Sequence, residues 1–221
     1  MQSRYSILER LHKDVFERLS EAHRIIEVKK NHQLFFQEDT GCEVYIVISG
    51  LAKVSCLSSC GDEVVISIAG KGSFLGDLSF FNINQSRTLD VIAISDMTLM
   101  KLRNGAFEDE WLTNKEFCKE IAYMQTHRLV TLGKRLMLMN EDAKTRLLAT
   151  LLDLACLSGD TYDPFNIIPS LPQETIGLIS GLSRTTTSSL LNSCYKAKIL
   201  KKSLNGLQFA DLSELKKRRL I

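Results

Sequence analysis

Near residue 110 the apolar residues of this chain change period, and that change limits what it can fold into. Between residues 24 and 102, short runs rich in branched and aromatic residues succeed one another at 24–28, 34–36, 44–48, 52–56, 64–68, 89–94 and 97–102. Turn formers separate them at Asp39-Thr-Gly41, Ser49-Gly50, Gly61-Asp62, Gly70-Lys-Gly72 and Ser95-Asp96. Strands this short and regular predict two antiparallel sheets closed as a jelly roll or barrel-like sandwich. A polar helix over about residues 5–22 is expected ahead of them. From about 114 to 139 the spacing turns helical: Cys118, Ala122, Gln125, Leu129, Leu132, Leu136 and Met139 lie alternately four and three apart, a heptad seam. Phe117, Ile121 and Met124 form a second stripe suited to pack on the β domain. One face for the body and one for a partner predicts a homodimer. A long helix buried within one chain is the alternative.

Residues 174–192 read as two short helices joined by a tight turn. Ile176, Ile179 and Leu182 make one apolar face, and Leu190 and Leu191 mark the core side of the second helix. Gly181 can take the positive φ of the turn, and Ser183 is a natural N-cap. The second helix then shows solvent Arg184, Thr185, Thr186, Ser188 and Ser189, with no acidic residue. An exposed Arg with small hydroxyls behind it suits the major groove, where its fork pairs with guanine O6/N7 and the hydroxyls reach phosphates or bases. An ordinary helical hairpin with a polar face is the competing reading.

Charge favours nucleic acid. The chain carries 28 basic and 26 acidic residues. From Gln173 onward there are 9 Lys/Arg against 3 Asp/Glu, a net +6 that leaves −4 for the rest. A basic terminal module on a mildly acidic body is the electrostatic footprint of phosphate contact. Gln173, Ser183, Lys201 and Lys202 are the candidate phosphate contacts, whereas Lys216-Lys-Arg-Arg219 could be a solvated tail.

In residues 72–89, Gly76 allows close backbone approach, and amides around Gly76 to Leu78 could meet an anion. Asp77 lies ten residues before Arg87, which Thr88 follows. An arginine inside a β-roll needs a counter-charge. Asp77 could supply it as a structural ion pair, or a bound phosphate or carboxylate could.

The order of these three elements resembles the Crp/Fnr family of bacterial transcription regulators over essentially the whole chain. The family's cyclic-AMP-binding members carry Gly-Glu-Leu and, ten residues after the Glu, Arg-Ser. Here Gly76, Asp77, Leu78, Arg87 and Thr88 stand at those positions. The resemblance implies that Arg87 grips a cyclic phosphate, Asp77 a ribose hydroxyl and Thr88 a phosphate oxygen. It also implies an α+β fold: a cyclic-nucleotide-binding-type β-roll or jelly roll over 1–112, a dimerisation helix over 113–140, and a winged helix-turn-helix over 141–221. The hinge is expected near residues 139–142, and the wing at 199–210, turning at Asn205-Gly206 as a type I′ turn. Two positions depart from the pattern. Thr131-Leu132 replaces the Thr-Ser pair set against the adenine, and Asp77 is one methylene shorter than Glu. The expected effector is therefore cyclic AMP or another small anion. Where the family's best-known DNA site is read by Ser-Arg-Glu and a later Arg, this chain has Thr185 and Ser189, which should change the half-site code.

Other chemistries lack their residues. No Cys precedes Cys42, where the iron–sulfur branch needs a cluster, and the six cysteines, Cys56 and Cys60 among them, show no framework or metal spacing. His12, His23, His32 and His127 stand isolated, short of a haem ligand or of the clustered ligands a cupin-like enzyme requires. No window approaches 18 consecutive apolar residues, so a cytoplasmic protein without membrane association is expected. The function that follows is a homodimeric transcription regulator, not an enzyme, binding a roughly palindromic double-stranded DNA site, with RNA polymerase as a further partner. A small effector would gate it. An effector-independent DNA-binding protein and a cupin-like enzyme are the alternatives.

Overall fold

The computed structural model describes residues 13–20, 23–81, 84–102, 105–159, 161 and 163–221. His12 and most of the polar helix expected over 5–22 lie outside them, and α1 (Lys13–Ser20) is the described part of that helix. Eight strands follow: β1 (Arg24–Val28), β2 (Gln33–Phe35), β3 (Tyr45–Ser49), β4 (Ala52–Leu57), β5 (Glu63–Ala69), β6 (Phe74–Leu75), β7 (Asp90–Ala93) and β8 (Met97–Lys101), with a short α2 (Leu78–Phe81) between β6 and β7. Every pairing is antiparallel, in two four-stranded sheets of order β1-β8-β3-β6 and β2-β7-β4-β5.

Period-two alternation explains how this roll is filled. In the β3 region Tyr45 and Val47 face one cluster with Val54, Val91 and Leu99, whereas Val44 and Ile46 face another with Phe74, Met100 and Leu102. The first cluster joins residues of both sheets. The second is closed by helices α3 (Ala106–Thr113) and α4 (Lys115–Leu138), through Phe107, Phe117, Ile121 and Met124. The β3–β8 sheet is thus buried on both faces, which explains why these strands read as nearly continuous apolar runs. Phe107 sits edge-on to Phe74, Phe80 and Phe117 at 5.7, 5.3 and 5.3 Å. Such pairs contribute roughly 0.5–1.5 kcal/mol beyond their buried area.

Helix α4 has 24 residues, about 36 Å at ~1.5 Å per residue. Its inner stripe packs as the spacing predicts. The chain divides into two compact units between Leu132 and Gly133.

In the second unit, α5 (Ala143–Ser158) is the centre of the core. Leu147, Leu148, Leu151, Leu154, Ala155 and Cys156 are all buried, covering nearly its whole circumference. Around it lie β9 (Ile168–Pro169), α6 (Gln173–Ser180), α7 (Arg184–Lys196), the hairpin β10 (Leu200–Ser203) and β11 (Gly206–Phe209), and α8 (Ser213–Lys217). The hairpin departs from expectation. Ser203 pairs with Gly206, so the turn is Leu204-Asn205, not Asn205-Gly206. Neither turn residue has positive φ, so the turn is not type I′. Gly206 answers a different need: a Cβ there would lie 1.9 Å from the Ile168 carbonyl oxygen of β9.

Asp142 caps α5, accepting from the backbone N–H groups of Lys144 and Thr145 at 2.9 and 3.1 Å. Arg218 joins the same carboxylate at 2.6 Å and Glu214 at 2.9 Å, so the basic segment 216–219 is not merely a solvated tail. The Thr145 hydroxyl, then its N–H and Arg218, hold the Asp142 carboxyl down at about 2, below the ordinary 3.8. A depressed carboxylate stabilises the fold above its unfolded value and loses that contribution as pH falls through the folded one. Asp142→Ala should cost about 1 kcal/mol at pH 6, with the penalty shrinking between pH ~4 and ~2. Chemical denaturation of both proteins across that range checks it, and a pH-independent difference would contradict it.

Candidate nucleic-acid interface and buried arginine site

The turn between α6 and α7 follows from three residues. Gly181 caps α6 at φ 64° and ψ 39°. The Ser183 hydroxyl accepts from the Thr186 N–H at 3.1 Å, starting α7. Gly177 lets the helices close: a Cβ there would meet the Leu182 carbonyl oxygen at 2.7 Å and the Thr187 hydroxyl at 2.8 Å. Thr187 is fully buried and donates to the Ser183 carbonyl at 2.9 Å. It falls between exposed and half-exposed hydroxyls, which is why the outward row is Arg184, Thr185, Thr186, Ser188 and Ser189.

Arg184, Thr185 and Ser189 are exposed, Thr186 and Ser188 partly so. Ser183 is committed as the cap, its oxygen 2.9 Å from the hydroxyls of both Thr185 and Thr186. Gln173 is exposed at the first position of α6. Lys201 and Lys202 are both exposed but, as neighbours on β10, point to opposite faces. Lys202 pairs across the hairpin with buried Leu207 and Lys201 with Gln208. A further contact was not legible beforehand: Arg135, in the last turn of α4, donates to the Ile179 carbonyl at 2.8 Å.

In the β-roll, Arg87 and Asp77 are both buried, at 3% and 2% exposure, but they do not pair with each other. Of the two counter-charges considered for Arg87, the Asp77 ion pair is therefore ruled out. Arg87 Nη2 donates to Glu43 Oε2 at 3.0 Å, and Nη1 donates to the carbonyls of Glu43 and Gly76 at 2.9 and 3.3 Å. The Phe35 ring lies 4.3 Å from the guanidinium carbon. Gly76, at φ 83°, makes this approach possible, since a Cβ there would sit 2.4 Å from Arg87 Nη1. Glu43 also accepts from Lys101 Nζ at 3.3 Å. Its carboxyl is held below the ordinary range, first by its own backbone N–H, then by Lys101 and Arg87 against the opposing effect of burial.

Asp77 is bound instead by side chains of α4. Arg128 grips it with Nη1 at 2.6 Å and Nη2 at 3.2 Å, and Gln125 Nε2 donates at 3.0 Å. Gln125, placed on the seam by its spacing, thus turns its amide toward the roll. Arg128 extends the inner stripe, since 117, 121, 124 and 128 continue its rhythm of four and three. A charge at an inward position was the available signal that an acid must wait there. Leu78 opens α2 and is half-buried; Thr88 is exposed beside buried Arg87. Thr131 and Leu132 lie three and four residues beyond Arg128, on the same side of α4.

Among the described residues no group of His, Cys, Asp and Glu is placed to hold a metal ion, and no helix is long and apolar enough to cross a membrane.

The chain is similar to known proteins. Residues 25–130 match the cyclic nucleotide-binding domain family. A CRP-like cAMP-activated global transcriptional regulator of Mycobacterium tuberculosis is 25% identical over 169 residues, 75% of this chain and 75% of that protein. The cAMP-activated global transcriptional regulator CRP of Salmonella typhimurium is 26% identical over 159 residues, 72% and 76% of the two chains. The structure of FixK2 from Bradyrhizobium japonicum superposes with a TM-score of 0.76 at 17% identity, over 89% of this chain and 96% of that one.

Proposed function

We propose that the chain is a DNA-binding transcription regulator of the Crp/Fnr type and not an enzyme, by likeness to the regulators above, and that it acts as a homodimer gated by a small anionic effector. The three-part division at 1–112, 113–140 and 141–221 belongs to the proposal. Dimerisation rests on α4, whose outer positions Leu129 and Leu136 are 69% and 58% exposed in the single chain, as is Met139 just past its last turn at 62%. A heptad row of large apolar side chains left in water finds its natural cover in a second copy. Paired α7 helices would then address two half-sites of a roughly palindromic site about 34 Å apart. Arg184 is assigned to a guanine, Thr185, Thr186, Ser188 and Ser189 to bases or phosphates, and Gln173, Lys201 and Lys202 to phosphates.

The observation that carries gating is the grip of Arg128 and Gln125 on Asp77. It couples the loop expected to meet an effector directly to the dimer helix. An effector whose hydroxyl competes for Asp77 would bind differently to two placements of α4, which is the differential affinity a switch requires. Gly76, Leu78, Arg87, Thr88, Thr131 and Leu132 complete the proposed site. Cyclic AMP is the first candidate, by likeness to its activated relatives, with altered base selectivity at Leu132. Arg87→Ala should abolish effector-stimulated DNA binding while leaving the dimer intact, because charge-assisted bonds contribute about 1.5–3 kcal/mol each. Calorimetry with cyclic nucleotides and small organic acids, alongside operator binding by both proteins, tests this.

A second reading has its own support. Glu43 already neutralises Arg87, which is consistent with a roll that serves only as a scaffold. Tight operator binding by ligand-free protein, unchanged by any effector, would establish that version.

A further inference from the structure

We infer that Glu43 decides which ligands this site admits: its carboxylate is a resident oxyanion, and an external one enters by replacing it between Arg87 and Lys101. The inference rests on the reading of Arg87 as the anion site. Glu43 gives one oxygen to each cation, Oε2 to Arg87 at 3.0 Å and Oε1 to Lys101 at 3.3 Å. A ligand carboxylate or phosphate would bridge two cations in the same way.

The rest of Arg87 is enclosed. Phe35 covers one face, the Glu43 and Gly76 carbonyls take Nη1, and Gly41 closes over the remaining edge. A Cβ on Gly41 would lie 3.0 Å from both Arg87 Nη2 and Glu43 Oε2, so that side has no room for another group. Mobility differs between the partners. The Arg87 side chain is 3% exposed, whereas that of Glu43 is 33% exposed and can return to water when displaced. Its loop is tied to the Arg87 segment by backbone bonds, from Glu38 N–H to the Arg87 carbonyl and from Arg87 N–H to the Asp39 carbonyl, which the carboxylate does not share. Exchange of one oxyanion for another keeps the charge balance, whereas an uncharged ligand would leave two facing cations uncompensated. The site therefore selects an oxyanion with two free oxygens on one atom.

The test uses the full chain and calorimetry, with cyclic AMP as phosphate probe and succinate as carboxylate probe. Glu43→Gln should bind one of them about tenfold or more tightly than the unsubstituted protein, and adding Arg87→Ala should remove that gain. Which probe gains identifies the oxyanion. Glu43→Ala is the second variant, and thermal melting confirms that each is folded. Equal or weaker binding by both Glu43 variants, or no binding of either probe, overturns the inference. If that equal binding is still lost with Arg87→Ala, the anion reading of Arg87 stands without it; binding that survives Arg87→Ala removes the reading itself.

Discussion

Arg184→Ala should weaken binding to a specific operator by about 1–3 kcal/mol per half-site while leaving affinity for random DNA nearly unchanged. A dimer loses the contact twice, so the effect on the full site should reach roughly three orders of magnitude at the middle of that range. Arg184 is exposed at the first position of α7, and the cap that starts the helix is made by Ser183, not by Arg184. The fold should therefore tolerate the change, and loss of discrimination at one base pair can be separated from loss of stability. Gln173, Lys201 or Lys202 replaced by Ala should instead lower affinity for all sequences alike, and loss of either lysine should also flatten the salt dependence. Titrations against operator, single-base variants and random duplex decide the matter. An equal loss on specific and random DNA would show that Arg184 holds phosphate and reads no base.

Leu129→Glu combined with Leu136→Glu is expected to produce a folded monomer. Both side chains are mostly in water in the single chain, so the charges are not forced into a core. In a dimer the same positions would meet like charges across a desolvated seam. A monomer engages one half-site at a time, and loss of simultaneous binding should cost about 10²–10⁴ in operator affinity. Sedimentation and melting of the double variant provide the check. If it remains dimeric, α4 is not the partner surface, and the heptad spacing of residues 118–139 needs another cover.

Elements that repeat along the sequence were legible in it. The strand runs could be read because each combines branched or aromatic residues with a turn former, and β1 begins and ends where its run does. Strands β6 and β9 have two residues each and exist through their partners, Tyr45 and Ile46 for one, Gly206 and Leu207 for the other. No local pattern announces such pairings. The same distinction separates the two sites. The outward row of α7 follows from helical period alone, since it depends on residues within one helix. The buried cluster depends on which distant carboxylate meets which cation, and Glu43 and Asp77 could not be told apart as partners of Arg87 from spacing. Arg128 was the missed clue, a charge continuing an apolar stripe. Gly206 misled for a related reason: a glycine after Asn looks like a turn, yet here a neighbouring strand requires it.

The hydroxyls around the start of α7 have a consequence for the breadth of what is read. Ser183, Thr185 and Thr186 share one small network, in which either atom of each hydroxyl pair can be the donor. A rotation about one C–O bond turns a proton outward in place of a lone pair, at no change in the helix. A rigid glutamate at such a position could only accept, and so would insist on a base edge that donates. A helix fronted by reversible hydroxyls would hold one guanine strictly through Arg184 and tolerate variation beside it. Natural sites for this protein would then align sharply at one column per half and blur at the next, so a search for them should weight the first column and leave its neighbour open.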